Sequence, residues 1–406
     1  MISRREFLAT TALAVPALAS AAPQRLKRVA AIHTVYHLRS HSYHITGRFL
    51  HGYPVGGIHH QPEFKVVRMY NDQYNDNDLS RELAPKFGFE LSKTVADALG
   101  GAGGLDVDAV LLIGEHGNYP NNDIGQQLYP RHKLFMEIVD VFRKSGKSVP
   151  VFNDKHLSYD HKLAAEMVAA SRELKFGFMA GSSLPFTWRR PELEPEIGTP
   201  IREGLCCCYA PGERYMFHGL EVLQVMMERR AAREPGVKAV TALKGAEVWR
   251  AGDRGLWSKE LLEAALRRSP SRNYGLPPDN VAEPLAVVIE YKDGARGAVL
   301  QLAEHVADFT FAGRIEGQRN PISTHFELPP PPGARYFSAQ TWNIEKLFAT
   351  GKSPAPIERT LLTTTMLDFW MRSLAAGGKR MEDAALEVAY APPAETGCFR
   401  GSASDA

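Results

Sequence analysis

The sequence is short of several things, and each shortage removes a class of function. Only four of its 406 residues are cysteine, and three of these are consecutive, Cys206, Cys207 and Cys208, with Cys398 far behind. Adjacent cysteines cannot staple distant segments, so no disulfide framework is expected. On a strand, at most Cys206 and Cys208 share a face. That is too few for a thiolate metal site, and core filling is the expected role. Net charge is scarce as well. Lys and Arg number 48 against 46 Asp and Glu, leaving +2. With no long basic run, nothing points to nucleic acid as a partner. No run is apolar for long enough to span a bilayer. No internal repeat is present, which excludes solenoids and propellers.

What is present begins with Ser3-Arg4-Arg5-Glu6-Phe7-Leu8, paired arginines followed by an apolar pair. A modest apolar stretch over 9–18 contains Pro16, and Ala19-Ser20-Ala21 has the small-x-small form of a cleavage site. Residues 1–21 therefore read as a twin-arginine signal peptide. The reading predicts passage through twin-arginine export machinery and an exported, periplasmic or extracytoplasmic location.

The rest of the chain is long enough for two ordinary domains. In its first part, strands are expected over 29–32, 64–70, 149–152 and 176–180. The apolar run 107–113 reads as a strand buried on both faces. Helices are expected over 45–50, 80–87, 92–99 with Ser92 as N-cap, 130–144 and 163–174. In the fourth of these, Leu134, Phe135, Ile138, Val139 and Phe142 recur at helical spacing. Such alternation predicts an α/β fold with a Rossmann-like, doubly wound parallel sheet. The second part offers strands over 204–209, 237–243, 285–291 and 297–302, with Lys292-Asp293-Gly294 as a hairpin turn. With helices over 218–228 and 360–374, it reads as an α+β domain with an open, mostly antiparallel sheet. The proline run 329–332 reads as a rigid loop. The expected division is a Rossmann-like nucleotide-binding domain over 26–155 and a substrate and oligomerisation domain over 156–390.

Three pieces carry a family resemblance. Gly146-Lys147-Ser148-Val149 followed by Asp154-Lys155-His156 is similar to a Gly-Lys-x-Val…Glu-Lys-Pro segment. Tyr129-Pro130-Arg131-His132 is similar to a helix entry that carries a histidine. His218-Gly219-Leu220-Glu221 is similar to a His-x-x-Asp at a helix start. Together they resemble the glucose–fructose oxidoreductase and inositol dehydrogenase family (Gfo/Idh/MocA). The resemblance implies a carbohydrate or polyol substrate, NAD(P) as cofactor and a homo-oligomer. It also implies Lys155, His218 and Glu221 as the catalytic set. One departure bears on the cofactor. No Gly-x-Gly-x-x-Gly follows the first strand, where the chain reads Ile32-His33-Thr34-Val35-Tyr36-His37-Leu38-Arg39-Ser40. Those glycines let a backbone approach a pyrophosphate.

Independently of the resemblance, Lys155 lies just past a strand, where ligands collect in open α/β sheets. Apolar surroundings disfavour its charged form and suit it to proton transfer. Arg39, Ser40, Asp72, Glu115, His116 and Asp154 are the candidate cofactor contacts. Phe186-Thr187-Trp188-Arg189-Arg190-Pro191 resembles the family's Arg-Phe-x-Pro region, which implies Arg189 as a candidate substrate contact, and His156 is another. A divalent metal is the alternative to NAD(P), with Glu115, His116, Asp123, His156 and His161 as ligands if their loops converge. His37, His41 and His44 would share one face if a helix ran through all three. Three functional readings stay open. They are a polyol oxidoreductase, a metal-dependent or cofactor-free lyase or hydrolase on glycosides, and a non-catalytic carbohydrate-binding protein.

Overall fold

The structure is a computed structural model that describes residues 25–330 and 333–402. The expected signal peptide and part of the proline run lie outside the described residues. The first half comprises β1 (Lys27–His33), α1 (His41–His51), the hairpin of β2 (Tyr53–Val55) and β3 (Ile58–His60), and β4 (Phe64–Asn71). Then come α2 (Ser80–Phe87), β5 (Glu90–Leu91), α3 (Val95–Leu99), β6 (Ala109–Ile113), α4 (Arg131–Ser145), β7 (Val151–Asp154), α5 (His161–Glu173) and β8 (Phe178–Gly181). Six of these strands form one sheet in the order β5-β4-β1-β6-β7-β8. Every pairing in it is parallel. This is the expected doubly wound sheet, with its switch point between β1 and β6.

The second half comprises β9 (Trp188–Arg190), β10 (Ile201–Cys208), α6 (Glu213–Met227), β11 (Val237–Lys244), α7 (Ala246–Asp253), α8 (Lys259–Leu266) and α9 (Pro277–Asn280). It continues with β12 (Leu285–Tyr291), β13 (Arg296–Gln301), β14 (Phe309–Ile315), β15 (Ile322–Glu327), α10 (Tyr336–Thr350), α11 (Ile357–Ala375) and β16 (Met381–Glu382). Its sheet runs β16-β11-β12-β13-β10-β14-β15-β9. All its pairings are antiparallel except β10 with β13. The mixed, mostly antiparallel second sheet is as expected.

Burial follows the strand period. Cys206 and Cys208 pack with α6 and α11 on one face, whereas Cys207 packs with α7 and α8 on the other. The five residues of β6 are all buried, as a strand covered on both faces must be. Full burial of each such leucine or isoleucine is worth about 1.5–3 kcal/mol.

Three expectations need correction. The parallel sheet does not end at 155, because β8 pairs in parallel with β7 and carries the sheet to Gly181. The chain also returns to the first domain late. Phe337, Ile344, Leu347 and Phe348 of α10 share a core with residues of β1, β4 and α1. The helix expected from Ser92 starts at Val95, capped by Thr94, whose hydroxyl accepts from the Asp97 amide at 3.0 Å. Among the described residues, no helix is long and apolar enough to cross a membrane.

Candidate functional site

The site gathers at the carboxyl ends of β6 and β7. Lys155 follows β7 directly, and its amide donates to the Gly181 carbonyl at 3.0 Å. It takes φ +61°, a left-handed conformation that costs a non-glycine residue of order 1–3 kcal/mol. The side chain is enclosed, and Nζ lies 3.2 Å from Glu115 Oε1. Arg131, the first residue of α4, donates to the other oxygen of Glu115, and Arg214 of α6 approaches Oε1 at 3.2 Å. Burial pushes the Glu115 carboxyl up, but Lys155 and Arg131 outweigh it and hold it well below the usual range. For Lys155, burial wins over the attraction of Glu115 and Asp154, and its ammonium pKa falls.

Gly114 makes this approach possible, since a Cβ there would sit 2.6 Å from Arg131 Cγ. Arg131 Nη1 also meets His156 Nε2 at 2.8 Å. A guanidinium only donates, so Nε2 accepts and the His156 proton sits on Nδ1. His41 opens α1, and its Nδ1 is 2.7 Å from Asp154 Oδ2. His116, also left-handed at φ +68°, brings its ring within 5.4 Å of His41. Burial, then the His41 charge, lowers His116 to about 3. His218 is held well below its ordinary value by burial, then by Lys155.

Lys155, His41, His116, Arg214 and His218 line a cavity of about 150 Å³, with Tyr209, Tyr215, Phe309, Tyr336 and Phe337 as aromatic walls. A second cavity of about 280 Å³ shares Arg214 and Tyr215 with it and is lined by Glu115, Glu213, Tyr129 and His156. Buried polar atoms without a hydrogen-bond partner concentrate around these cavities. They include Asp154 Oδ1, His116 Nδ1, His156 Nδ1, His218 Nδ1, Arg131 Nε and Glu213 Oε1. Each such atom costs of order 1–3 kcal/mol unless something bonds it. Their clustering is the mark of a site shaped for a polar guest.

The structure thus brings Lys155, His218, Glu115, His116, Asp154 and His156 together. Other candidates are placed differently. His218 lies inside α6, past its first turn, not at the helix start. Glu221 does not line the Lys155 cavity. Its carboxylate accepts from the Ser182 amide at 3.0 Å and from the Ser182 hydroxyl. It braces α6 against the end of β8, where a Cβ on Gly181 would meet Glu221 Oε1 at 2.5 Å. Burial raises the Glu221 carboxyl to about 7. Arg189 is buried, with Nη1 on Leu193 O at 3.0 Å and Nη2 on Pro185 O and Thr396 Oγ1. Its guanidinium holds backbone, which corrects the expectation that it reaches a substrate.

The metal alternative finds no support. Glu115 and His156, two of its expected ligands, are bonded to Arg131. His161 Nδ1 instead meets Asp368 Oδ2 at 2.6 Å. Among the described residues, the carboxylate–histidine group able to hold an ion is Asp160, His161 and Asp368. Arg372 already bonds both of its carboxylates, at 2.9 and 3.1 Å. Nor do His37, His41 and His44 share a helix face, because α1 begins at His41. His44 is stacked on Phe337, with ring centroids 4.9 Å apart.

The phosphate side of the crevice tests the fit of NAD(P). Val35 and Tyr36, both 1% exposed, fill the β1–α1 turn where glycines would admit a pyrophosphate. Ser40 caps α1 itself, its hydroxyl accepting from the Tyr43 amide at 3.1 Å and donating to His37 O at 2.7 Å. Arg39 is exposed. Asp72 stands just past β4, where a ribose carboxylate would be, but accepts from Tyr70 and Tyr119 hydroxyls at 3.0 and 2.7 Å. The loops are tied across the switch point. Thr34 Oγ1 donates to Glu115 O at 2.8 Å. Gln73 and Asn118 exchange two bonds, of 3.0 and 2.9 Å. As the loops stand, the phosphate end does not fit a dinucleotide.

Sequence reasoning missed the roles of Arg131, Arg214 and Glu213 in the site. Arg131 gave one signal. A cation at a helix N-terminus opposes the helix dipole, so its place needs another reason, and Glu115 supplies it. His132, the histidine of the quoted helix entry, pairs with Glu166 on α5 instead.

No family model matches the sequence, and no curated protein does. Solved structures match across most of the chain. The myo-inositol 2-dehydrogenase of Lactobacillus plantarum is 12% identical, with 88% of this chain and 99% of that one covered and a TM-score of 0.53. The myo-inositol dehydrogenase of Lactobacillus casei, in complex with NAD(H) and myo-inositol, is 11% identical over 88% and 97% of the two chains, with a TM-score of 0.55. A probable dehydrogenase from Thermotoga maritima is 13% identical over 89% and 99%, with a TM-score of 0.53. At such identities the likeness shows the fold, the two-domain architecture of inositol dehydrogenases.

Proposed function

We propose that the protein is an oxidoreductase acting on a carbohydrate-like polyol in the cavity around Lys155. The observation that carries this reading is the enclosed Lys155, at a strand end of this fold, facing a neutral His218 across one cavity. Lys155 holds a substrate hydroxyl by hydrogen bond, and His218 takes the hydroxyl proton as the same carbon is oxidised. His41, oriented by Asp154, and Arg214 place the remaining hydroxyls. In this reading NAD(P) would supply the hydride acceptor, which the neighbour in complex with NAD(H) and myo-inositol supports. The ties among Asp72, Gln73, Asn118 and Tyr119 must part before it can enter.

Those ties favour a second reading, a cofactor-free lyase or hydrolase on glycosides in which Lys155 and His218 transfer protons only. Native mass spectrometry, followed by titration with NAD⁺ and NADP⁺, separates the two. Nucleotide bound by the wild type, and bound more tightly by a Gln73→Ala/Tyr119→Phe variant, supports the oxidoreductase. No binding by either protein rejects NAD(P) and leaves the proton-transfer reading.

The export reading joins this proposal. It rests on Arg4-Arg5 and Ala19-Ser20-Ala21, and cleavage after Ala21 in an exporting host is its test. A homo-oligomer is part of the same proposal, checked by the native mass.

A further inference from the structure

The larger cavity has a chemistry of its own. Glu213 opens α6 with Oε2 accepting from the Gln127 amide at 3.1 Å. Its other oxygen, Oε1, is buried without a partner. Burial lifts this carboxyl to about 7, so near neutral pH it both donates and accepts. His156 lines the same cavity, and its unpartnered Nδ1 carries a proton because Nε2 accepts from Arg131. Glu213 and His156 thus each bring a buried, unpartnered polar atom to the cavity wall, beside the rings of Tyr129 and Tyr215. Arg214, the cation on its wall, is already paired with Glu115. Glu115 is shared with Arg131 and Lys155 as well, and the groups left over, one carboxyl and one imidazole N–H, suit the hydroxyls of a neutral ring.

We propose that this cavity is a binding subsite for a second sugar unit, with Glu213 and His156 bonding its hydroxyls. The substrate is then a glycoside of at least two units, whose reacting ring occupies the Lys155 cavity. Arg214 and Tyr215 line both cavities, so the two adjoin. The inference rests on the carbohydrate reading of the Lys155 cavity and narrows its substrate class.

Calorimetric titration of the intact protein with D-glucose, D-galactose and D-mannose, and with cellobiose, lactose and mannobiose, tests it. At least one disaccharide is expected to bind tenfold or more tighter than its monosaccharide. In Glu213→Ala that ratio should fall to within about twofold of unity, and in Glu213→Gln, which keeps the shape and a hydrogen bond, it should stay intermediate. Circular dichroism checks the fold of both variants, and the glutamine variant serves if alanine does not fold. Equal binding of disaccharide and monosaccharide by the wild type, or a ratio unchanged in both variants, overturns the subsite and leaves the carbohydrate reading standing. If no saccharide of either length binds, both fall together.

Discussion

At one end of the crevice over the first sheet, around Lys155, buried polar atoms are left without partners. At the other end, over β1 and β4, Thr34, Asp72, Gln73, Asn118 and Tyr119 are bonded to their neighbours, and the buried Tyr36 hydroxyl is an exception. The two ends share one sheet and one set of loops, so fold alone does not set the difference. A scaffold can keep a reactive end unsatisfied, at a cost in stability, while the adjoining end closes on itself. Left-handed non-glycine residues stand at both ends, His116 and Lys155 at one and Arg39 in the β1–α1 turn at the other, so backbone strain does not separate them.

The contrast can be broken most severely at His218. His218→Gln is expected to lower turnover of whichever saccharide binds by about 10²–10⁴-fold, the usual contribution of a general base. A loss below threefold would remove His218 from the chemistry. Arg131→Ala comes next, because it takes away a buried partner of both Glu115 and His156. Denaturant unfolding should show a loss of about 3–5 kcal/mol, the usual penalty for breaking a buried ion pair. A loss under 1 kcal/mol would mean that Lys155 and Arg214 satisfy Glu115 without it.

Acid should act on the whole fold. Burial is the leading cause that lowers His33, His44, His116, His156 and His218. The unfolded chain protonates them near 6.5. The folded chain waits until about 4 for His44 and about 3 for His33 and His116. Below 6.5 the unfolded state therefore binds more protons, and stability falls with pH by up to about 1.4 kcal/mol per unit for each group. Glu213 and Glu221, raised from 4.5 to about 7, act in the opposite sense and lose stabilisation as pH rises through that window. Burial lowers His51, His305 and His325 as well, so lowered imidazoles outnumber the two raised carboxyls and the melting temperature should drop between pH 6.5 and 4.5. A flat or rising melting temperature there would show that the imidazoles are hydrated.

Much of the fold was legible because its signals are local. The wholly apolar β6, the alternating cysteines and the Lys292-Asp293-Gly294 turn each needed only a few adjacent residues. Helix α10 was not legible. It buries Ser338, Gln340, Thr341 and Asn343 along with Phe337 and Ile344, so it lacks a polar face and its apolar period is blurred. The expected boundary at 155 failed because Lys155 marks a strand end, while the sheet gains one more strand beyond it. In the site, Lys155 announced itself by position. Glu115, past the end of β6, was a candidate too, but its partners Arg131 and Arg214 were not, since they come from two other elements. The ties across the switch point join loops after different strands, and no spacing rule reveals them.

Saccharide binding to Lys155→Met tests the account most directly, because the central claim is that the unsatisfied end around Lys155 is where the guest sits. Calorimetry with the same saccharides should show binding to the wild type, and an affinity at least 100-fold weaker in a variant whose circular dichroism is unchanged. An affinity that survives the substitution within threefold would contradict the claim and place the guest elsewhere.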